Sequence, residues 1–577
     1  MGKIIYTNEN DCQDCYKCVR RCPVKAIKMI NNHASIEEER CIMCGACIAV
    51  CPAGAQKYRN DEDCVKELLQ TKERVIMAVA PAFASELDFS VNELILTAKK
   101  LGFYGVSETA LGAQIVTWFQ RELLSDSDRP LLSTACPTFV HLVMKYFPQW
   151  KDNLSPLLSP LLSQCVMLRK IYGDDIGIVF VGPCLAKKSE ADIHPELLDI
   201  AITFDEFQHL VLDSNIDLNS IKVESKKESE SFIPTHSNGG AIYPLDGGMV
   251  ETITNLNPAS VVDSALFHYA GTKTIQEILQ SENFKLSNNI FCEFLACEGG
   301  CINGSGIFND NAILSKRNKI AEYFKQLDSY PEEEFIDQYA PESVSADYAF
   351  CEPVKIKEFS NEEKQKIWKK LGKYEEKDFI DCGACGYNTC DNFAVACLEQ
   401  RAELEMCATC MKKQAQNKVR AFMKETPLAL CVLDKYQKIL ECNYKFIEMS
   451  MEVEIDITDE VLEHAKGTHV DRFFPVSEVA VSSIKSESKV SRIISHEKRI
   501  FDVMAFPFEK HDLSGVIIQD ITKPAIKRDV VISKAQGVIK NNLMTVQKIA
   551  FLLGETAAET EITLNEIISA YKTNEEK

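Results

Sequence analysis

The chain is predicted to be a multidomain protein of mixed α+β and α/β class, and three observations carry that expectation. Its 577 residues exceed what one compact core organises, so several domains are needed. Its 24 cysteines are gathered rather than scattered, with sixteen in tight clusters or motif positions. Between the cysteine groups, apolar strand-like runs alternate with helical patterns, the signature of α/β layering. Hydrophobic content of 46% and charged content of 26% are ordinary for globular protein. Lys plus Arg number 64 against 85 Asp plus Glu, a net charge of −21, which argues against nucleic acid or an anionic membrane as partner. No apolar run is long enough to span a bilayer, and MGKIIYTNENDC lacks the n- and h-regions of a signal peptide. A cytoplasmic protein is expected. In a reducing compartment, cysteines in such numbers hold metal more often than disulfides.

The first element is an N-terminal module, residues 1–60. CQDCYKCVRRCP at 12–23 and CIMCGACIAVCP at 41–52 each read C-x-x-C-x-x-C-x-x-x-C-P, the spacing of a bacterial two-cluster ferredoxin. Three cysteines of each run cap one cubane and the fourth reaches the other. Cluster one is therefore expected on Cys12, Cys15, Cys18 and Cys51, and cluster two on Cys41, Cys44, Cys47 and Cys22. A zinc site needs only four ligands and does not explain two copies of a crossed pattern.

The second element spans 70–350. RVIMAVAPAFA and DIGIVFVGPC read as buried strands, and in α/β domains sites gather at the carboxyl ends of strands. Cys184 lies at one such end, and Cys136 in STACPTFV sits in a loop of the same kind. SNGGAIYPLDGGMV (237–250) reads as a glycine-rich turn, and KKESESF (226–232) as a solvated excursion. FLACEGGCINGSG places Cys297 and Cys301 among glycines, which let backbone amides approach a ligand without Cβ interference. Cys136, Cys184, Cys297 and Cys301 could together hold one cubane. A thiolate can also bridge two metal units, and Lys187 offers a donor for an anionic ligand nearby.

Residues 351–380 are charged and helical in pattern. A third cysteine set follows in DCGACGYNTC plus Cys407: Cys382, Cys385, Cys390 and Cys407, a small [4Fe-4S] domain over 366–415 with zinc as the alternative. Cys397 and Cys410 lie outside the spacing and read as buried thiols. Residues 422–525 carry a hairpin at ALCVLDKYQKIL, an apparent helix, then strands IFDVMAFPFEK and GVIIQDIT. This small α+β unit resembles a PAS sensor domain, in which His469 is a remote haem-ligand candidate and more simply structural. The tail, 526–577, has apolar residues at helical spacing and suits docking or a homodimer.

Taken together, STACP, GPCLAKK and EFLACEGGCINGSG resemble the three H-cluster signatures of [FeFe]-hydrogenases. VAPA at 79–82 and SNGGAIYPLDGGMVE are similar to the same catalytic domain. The resemblance covers residues 1 to about 310. The CGACG set, PAS-like domain and helical tail resemble the sensory branch called group C. The resemblance implies an α/β H-cluster domain in which Cys136, Cys184, Cys297 and Cys301 hold a cubane. Cys301 would bridge it to a two-iron unit carrying CO, cyanide and an azadithiolate. Lys187 would hydrogen-bond a cyanide, and Ala80 and Pro81 would line the pocket. The implied partners are H2 and protons, a ferredoxin or similar electron carrier, the H-cluster maturation enzymes, and a signalling kinase or phosphatase.

Several positions depart from the family pattern. Catalytic members carry a proton-passing cysteine where this chain has Ala135. Phe119 and Gln120 stand near the expected relay acids, leaving Glu122 close by. Leu295 replaces a methionine and Glu298 a proline. Slow turnover is therefore expected, since general acid–base transfer contributes about 10²–10⁴. The expected function is reversible H2 activation in a hydrogen or redox sensor. The alternatives are a metabolic ferredoxin-linked hydrogenase and a non-enzymatic iron–sulfur carrier lacking the two-iron unit.

Overall fold

A computed structural model describes residues 2–522 apart from 127–128, 228, 257–264, 282–289, 308–310, 349–350, 356, 451–458, 497–498 and 510–511. The expected tail, 526–577, lies outside the described residues. The chain forms two compact units, 1–403 and 404–577. The division falls inside the segment expected as one small domain (366–415).

The first unit begins with two short antiparallel ladders, Ile5–Thr7 with Gln56–Tyr58 and Ile27–Ile30 with His33–Ile36. Each cysteine run turns into a one-turn helix, Lys17–Arg21 or Ala46–Val50, entered through a left-handed residue, Tyr16 or Gly45. That reversal leaves the preceding cysteines on a bare loop whose amides point inward.

The middle of the unit is built on a parallel sheet in the order Gly105–Glu108, Val75–Val79, Gly177–Gly182, Ile200–Thr203. The two central strands are buried at every position, as continuous apolar runs require when helices cover both faces. Helix starts are written locally. Ser90 with Glu93 and Thr203 with Glu206 make capping boxes for helices Val91–Leu101 and Phe204–Asp213, and Ser159 caps Pro160–Tyr172. A second parallel sheet orders Ala265–Ala270, Ile290–Leu295 and Leu131–Leu132. None of its three strands was anticipated. Of the outer two, one is two residues long and the other half-exposed, so neither shows a buried run. The segment expected as a turn at 237–250 holds a 3-10 turn, Gly239–Ile242, and the start of helix Gly248–Leu256. Among the described residues of 351–380, only Asn361–Lys370 is an α-helix, and it buries none of its residues.

The second unit opens with helix Ala408–Glu425. Its sheet is antiparallel, in the order Ile439–Cys442, Ala429–Asp434, Leu513–Asp520, Arg499–Glu509, Val490–His496. Helices lie between the second and third strands in sequence, and the core is filled by Phe446, Phe473, Phe474 and Phe501. The α+β expectation holds. The added strand, Val490–His496, is a largely exposed edge without the apolar alternation that would have marked it. Among the described residues no helix is long and apolar enough to cross a membrane.

Candidate iron–sulfur centres and the middle-domain site

The N-terminal module gathers its cysteines in two groups. Cys12, Cys15, Cys18 and Cys51 line one cavity with Met29, Ala34 and Ala55. Burial, then the neighbouring Cys15, Cys12 and Cys51, push the Cys18 thiol up to about 12. Cys22, although close to Cys18 in sequence, faces the other group: Cys44 is pushed to about 12 by burial, by Cys22 and by Cys41. Backbone amides favour the thiolate forms. Ala26 N–H donates to Cys22 Sγ (3.2 Å), Met43 N–H to Cys41 Sγ (3.3 Å) and Ala55 N–H to Cys51 Sγ (3.2 Å). Soft sulfur donors ringed by amides fit cubane clusters.

The middle domain brings its four cysteines together from three loops. Cys136 follows the short strand and caps helix Pro137–Tyr146. Cys184 stands two residues beyond strand Gly177–Gly182, and Cys297 two beyond Ile290–Leu295. Cys301 opens the 3-10 turn Cys301–Asn303. Burial raises the Cys297 thiol well above its ordinary value, and Cys184, Cys301 and Cys136 add to the effect. Cys184 rises to about 11 through burial and Cys136, with Lys187 opposing. Amides of Ala296, Phe139 and Thr138 face the Cys136 sulfur and that of Ala186 faces Cys184. Desolvation disfavours the ionised form of all four thiols, repulsion from neighbouring thiols adds to it at Cys184, Cys297 and Cys301, and a cationic metal cluster relieves both. The residues fit such a group.

The glycines serve a different purpose from the one expected. A Cβ on Gly300 (φ +99°) would lie 2.3 Å from Pro244 O, and one on Gly304 would lie 2.3 Å from Pro183 O. These glycines let three protein loops touch one another, a packing role rather than room for a ligand. Gly306 N–H donates to Pro183 O (2.8 Å), locking the Cys301 loop onto the Cys184 loop. The same device seats the N-terminal module: a Cβ on Gly45 would fall 2.2 Å from Ser305 Cβ. Cys44 consequently adds to the charge felt by Cys297. From the other side, Lys145, on the helix that Cys136 caps, donates to Glu38 O (3.0 Å) and Cys41 O (2.8 Å).

Lys187 is buried and donates to Glu190 Oε2 (2.6 Å) and Ser159 Oγ (3.0 Å). Ala80 N–H donates to Val181 O (2.9 Å), and Ala80 and Pro81 are both buried at the end of their strand. Ala135 is half-buried against the core. Gln120 is fully buried and accepts from Ser155 Oγ–H (2.6 Å), with its own Nε2 lacking a partner among the described residues. Glu122 is exposed, so it does not stand in for the missing acids. Leu295 is buried and Glu298 exposed. Sequence reasoning passed over Glu293, whose carboxyl burial pushes to about 8 and which accepts from Val250 N–H (3.2 Å) near Cys301. An acid inside the apolar run IFCEFL was the signal. It also passed over Lys188, which burial holds between Asp61 (2.7 Å) and Glu206 (2.8 Å), pinning the end of the N-terminal module.

The third cysteine group packs on the N-terminal module. Arg20 Nη1 donates to Ala384 O (3.3 Å), Arg401 Nη1 to Lys25 O (3.1 Å) and Met29 N–H to Arg401 O (3.0 Å). Cys382 is exposed, while Cys385, Cys390 and Cys397 are half-buried. Cys407 caps helix Ala408–Glu425 in the second unit, where Cys410 is buried. His469 has an exposed side chain that accepts from Asp471 N–H, a capping role.

Residues 73–305 match the family described as the iron only hydrogenase large subunit, C-terminal domain. Residues 4–52 match a 4Fe-4S dicluster domain and 380–409 an Fe-S cluster family. Iron hydrogenase 1 of Clostridium pasteurianum is 24% identical over 41% of this chain and 50% of its own length. The chain thus spans half of that relative. The periplasmic [Fe] hydrogenase large subunit of Nitratidesulfovibrio vulgaris is 27% identical over 52% of this chain and 86% of its own. A cytosolic Fe-S cluster assembly factor of Caenorhabditis elegans, oxy-4, is 23% identical over 44% of this chain and 67% of its own. The loops that gather Cys136, Cys184, Cys297 and Cys301 therefore lie within the residues that match the C-terminal domain of the iron only hydrogenase large subunit, behind a match to a 4Fe-4S dicluster domain.

Proposed function

We propose that the protein activates H2 reversibly at an H-cluster held by Cys136, Cys184, Cys297 and Cys301, slowly, as a hydrogen or redox sensor. The convergence of four thiols from three loops, with the Cys44–Gly45 turn seated on Ser305, carries this reading. When bound, the cluster supplies heterolysis of H2 into two protons and two electrons. The chain's residues do the rest. The four cysteines would hold the cubane, and Cys301 would also serve the two-iron unit. Lys187, fixed by Glu190 and Ser159, places a positive charge against the cluster thiolates. Ala80 and Pro81 keep the neighbouring surface apolar and dry. Cys44, which would hold cluster two, lies where electrons would leave the site, and the two ferredoxin-type cubanes would supply the relay to an external carrier such as ferredoxin. Cys382, Cys385 and Cys390 would hold a further cubane, for which Cys407 is the fourth thiolate that the sequence spacing offers.

Slow turnover follows from the exit for protons. Ala135 has no transferable proton, Gln120 is an amide where a carboxyl would serve, and Glu122 faces solvent. The PAS-like sheet in 422–525 would convey the redox state to a kinase or phosphatase through a two-state element. Loading the two-iron unit requires maturation enzymes. Infrared spectra of the matured protein test the reading: CO and cyanide stretches that respond to H2 are expected, and their absence defeats it. The same absent proton route also favours a second reading, a non-enzymatic iron–sulfur carrier, for which cubane signals alone are expected.

A further inference from the structure

In the C-terminal sheet, strands Ala429–Asp434 and Ile439–Cys442 run antiparallel, with Cys431 directly opposite Cys442. The adjacent pair carries a ladder bond, Asn443 N–H donating to Leu430 O (3.0 Å). Hydrogen-bonded and non-hydrogen-bonded pairs alternate in such a ladder, so Cys431 and Cys442 occupy a non-hydrogen-bonded pair. There Cα atoms approach to about 4.5 Å and the side chains share a face. That separation lies within the window of roughly 4.4–6.8 Å that a disulfide spans.

The two thiols are unequal. Cys431 points into the core at 2% exposure, whereas Cys442 is half-buried at the end of its strand. Burial raises both, Cys442 to about 11, with Lys466 opposing the rise at Cys442 alone. Cys442 is accordingly the sulfur a solvent-borne reagent meets first, and Cys431 the one poised behind it. Asn443, next in the chain, donates from its side chain to Leu428 O (2.8 Å) and accepts from the amides of Leu430 (2.9 Å) and Phe446 (2.9 Å). The pair therefore sits where the hairpin joins helix Tyr444–Ser450.

We propose that Cys431 and Cys442 are a reversible dithiol–disulfide couple that exchanges with a low-molecular-weight disulfide of the glutathione class. The Cys442 thiolate attacks one glutathione disulfide sulfur, forming the mixed disulfide and releasing one glutathione. The Cys431 thiolate then attacks the Cys442 sulfur, closing the cross-strand bond and releasing the second glutathione. Two protein thiols are oxidised by two electrons, the glutathione disulfide is reduced to two thiols, and both protons pass to them. The bond would tie the second strand to the first beside the Asn443 junction.

The test uses the full chain, kept anaerobic and equilibrated in glutathione buffers of rising disulfide fraction, then acid-quenched, alkylated and digested. A cross-linked peptide joining Cys431 to Cys442, lighter by two hydrogens, is expected to grow with disulfide fraction and disappear on back-titration. Cys431→Ser should trap a glutathione adduct on Cys442, and Cys442→Ser should leave Cys431 unmodified. Full alkylation of both cysteines in the most oxidising buffer would overturn the couple, making them small apolar core residues. An adduct appearing on Cys431 in Cys442→Ser would overturn the assigned order. Neither readout involves hydrogen, so its failure is distinct from failure of the proposed function.

Discussion

The N-terminal module and the middle-domain site each gather four-cysteine sets, yet they are built in opposite ways. In the first, eight sulfurs fall within 12–51, and left-handed residues at Asp14, Tyr16, Met43 and Gly45 fold each run onto itself. In the second, four sulfurs span 136–301 and meet only because strand ends and three loops are brought into register. A local site depends on its own turn. An assembled site depends on contacts remote from any ligand, so a change that touches no sulfur should empty the second while sparing the first.

Gly300→Ala is the sharpest form of that contrast. The added methyl meets Pro244 O at 2.3 Å on a backbone at φ +99°, and overpacking of this kind costs about 1–3 kcal/mol. The loop must move, and a displacement near 1 Å at a reacting centre costs about a hundredfold. Hydrogen–deuterium exchange is expected to fall by at least that factor and the CO and cyanide bands to vanish. The paramagnetic signals of the two ferredoxin-type cubanes should remain. Loss of all signals together would show that the two regions do not differ as described.

This contrast also explains what could be read without coordinates. The crossed cysteine groups were legible because spacing alone carries a local site. The strands Val75–Val79 and Gly177–Gly182 were legible because fully buried parallel strands are continuous apolar runs. The purpose of Gly300 and Gly304 was not, since their partners Pro244 and Pro183 are far away in sequence. Strand Ala265–Ala270 escaped because its exposed face breaks the apolar run. Glu293 and Lys188 escaped because the burial of a charge is a tertiary fact.

The second change adds rather than removes. Ala135→Cys with Gln120→Glu places transferable protons beside the site, the carboxyl accepting from Ser155 as Gln120 does now. An increase in exchange rate of about tenfold or more is expected, part of the roughly 10²–10⁴ that acid–base transfer contributes. Ala135→Cys alone should give less. No change in the double variant would place the bottleneck elsewhere.

A smaller effect separates the regions by pH. Burial raises the Glu108 carboxyl from 4.5 to about 7, while Ser237 and Tyr323 donate to it. The folded form keeps a proton that the unfolded form has released. The stabilisation is therefore complete below pH ~4.5 and lost as pH rises through ~7, on the order of 3 kcal/mol. Glu108→Gln should flatten that part of the pH dependence of the urea midpoint, followed by tryptophan fluorescence. An unaltered slope would assign the pH dependence to other groups, Glu293 among them.

The smallest effect concerns the seam between the N-terminal module and the third cysteine group. The Lys25 ammonium donates to Val19 O (3.3 Å) and Arg20 O (3.2 Å), and both Cys22 and Cys385 act on its charge. One positive charge therefore acts on Cys22, an expected ligand of the second cubane, and on Cys385 of the third group. Removing it in Lys25→Gln leaves both reduced clusters less compensated, so both should become harder to reduce. A roughly tenfold change in each one-electron equilibrium, ~60 mV to more negative potential, is expected in a redox titration. The cubane on Cys12, Cys15, Cys18 and Cys51 should shift less. A shift in the second cubane alone would mean that the Cys382–Cys390 group carries no cluster beside Lys25, and that its packing on the module serves structure only.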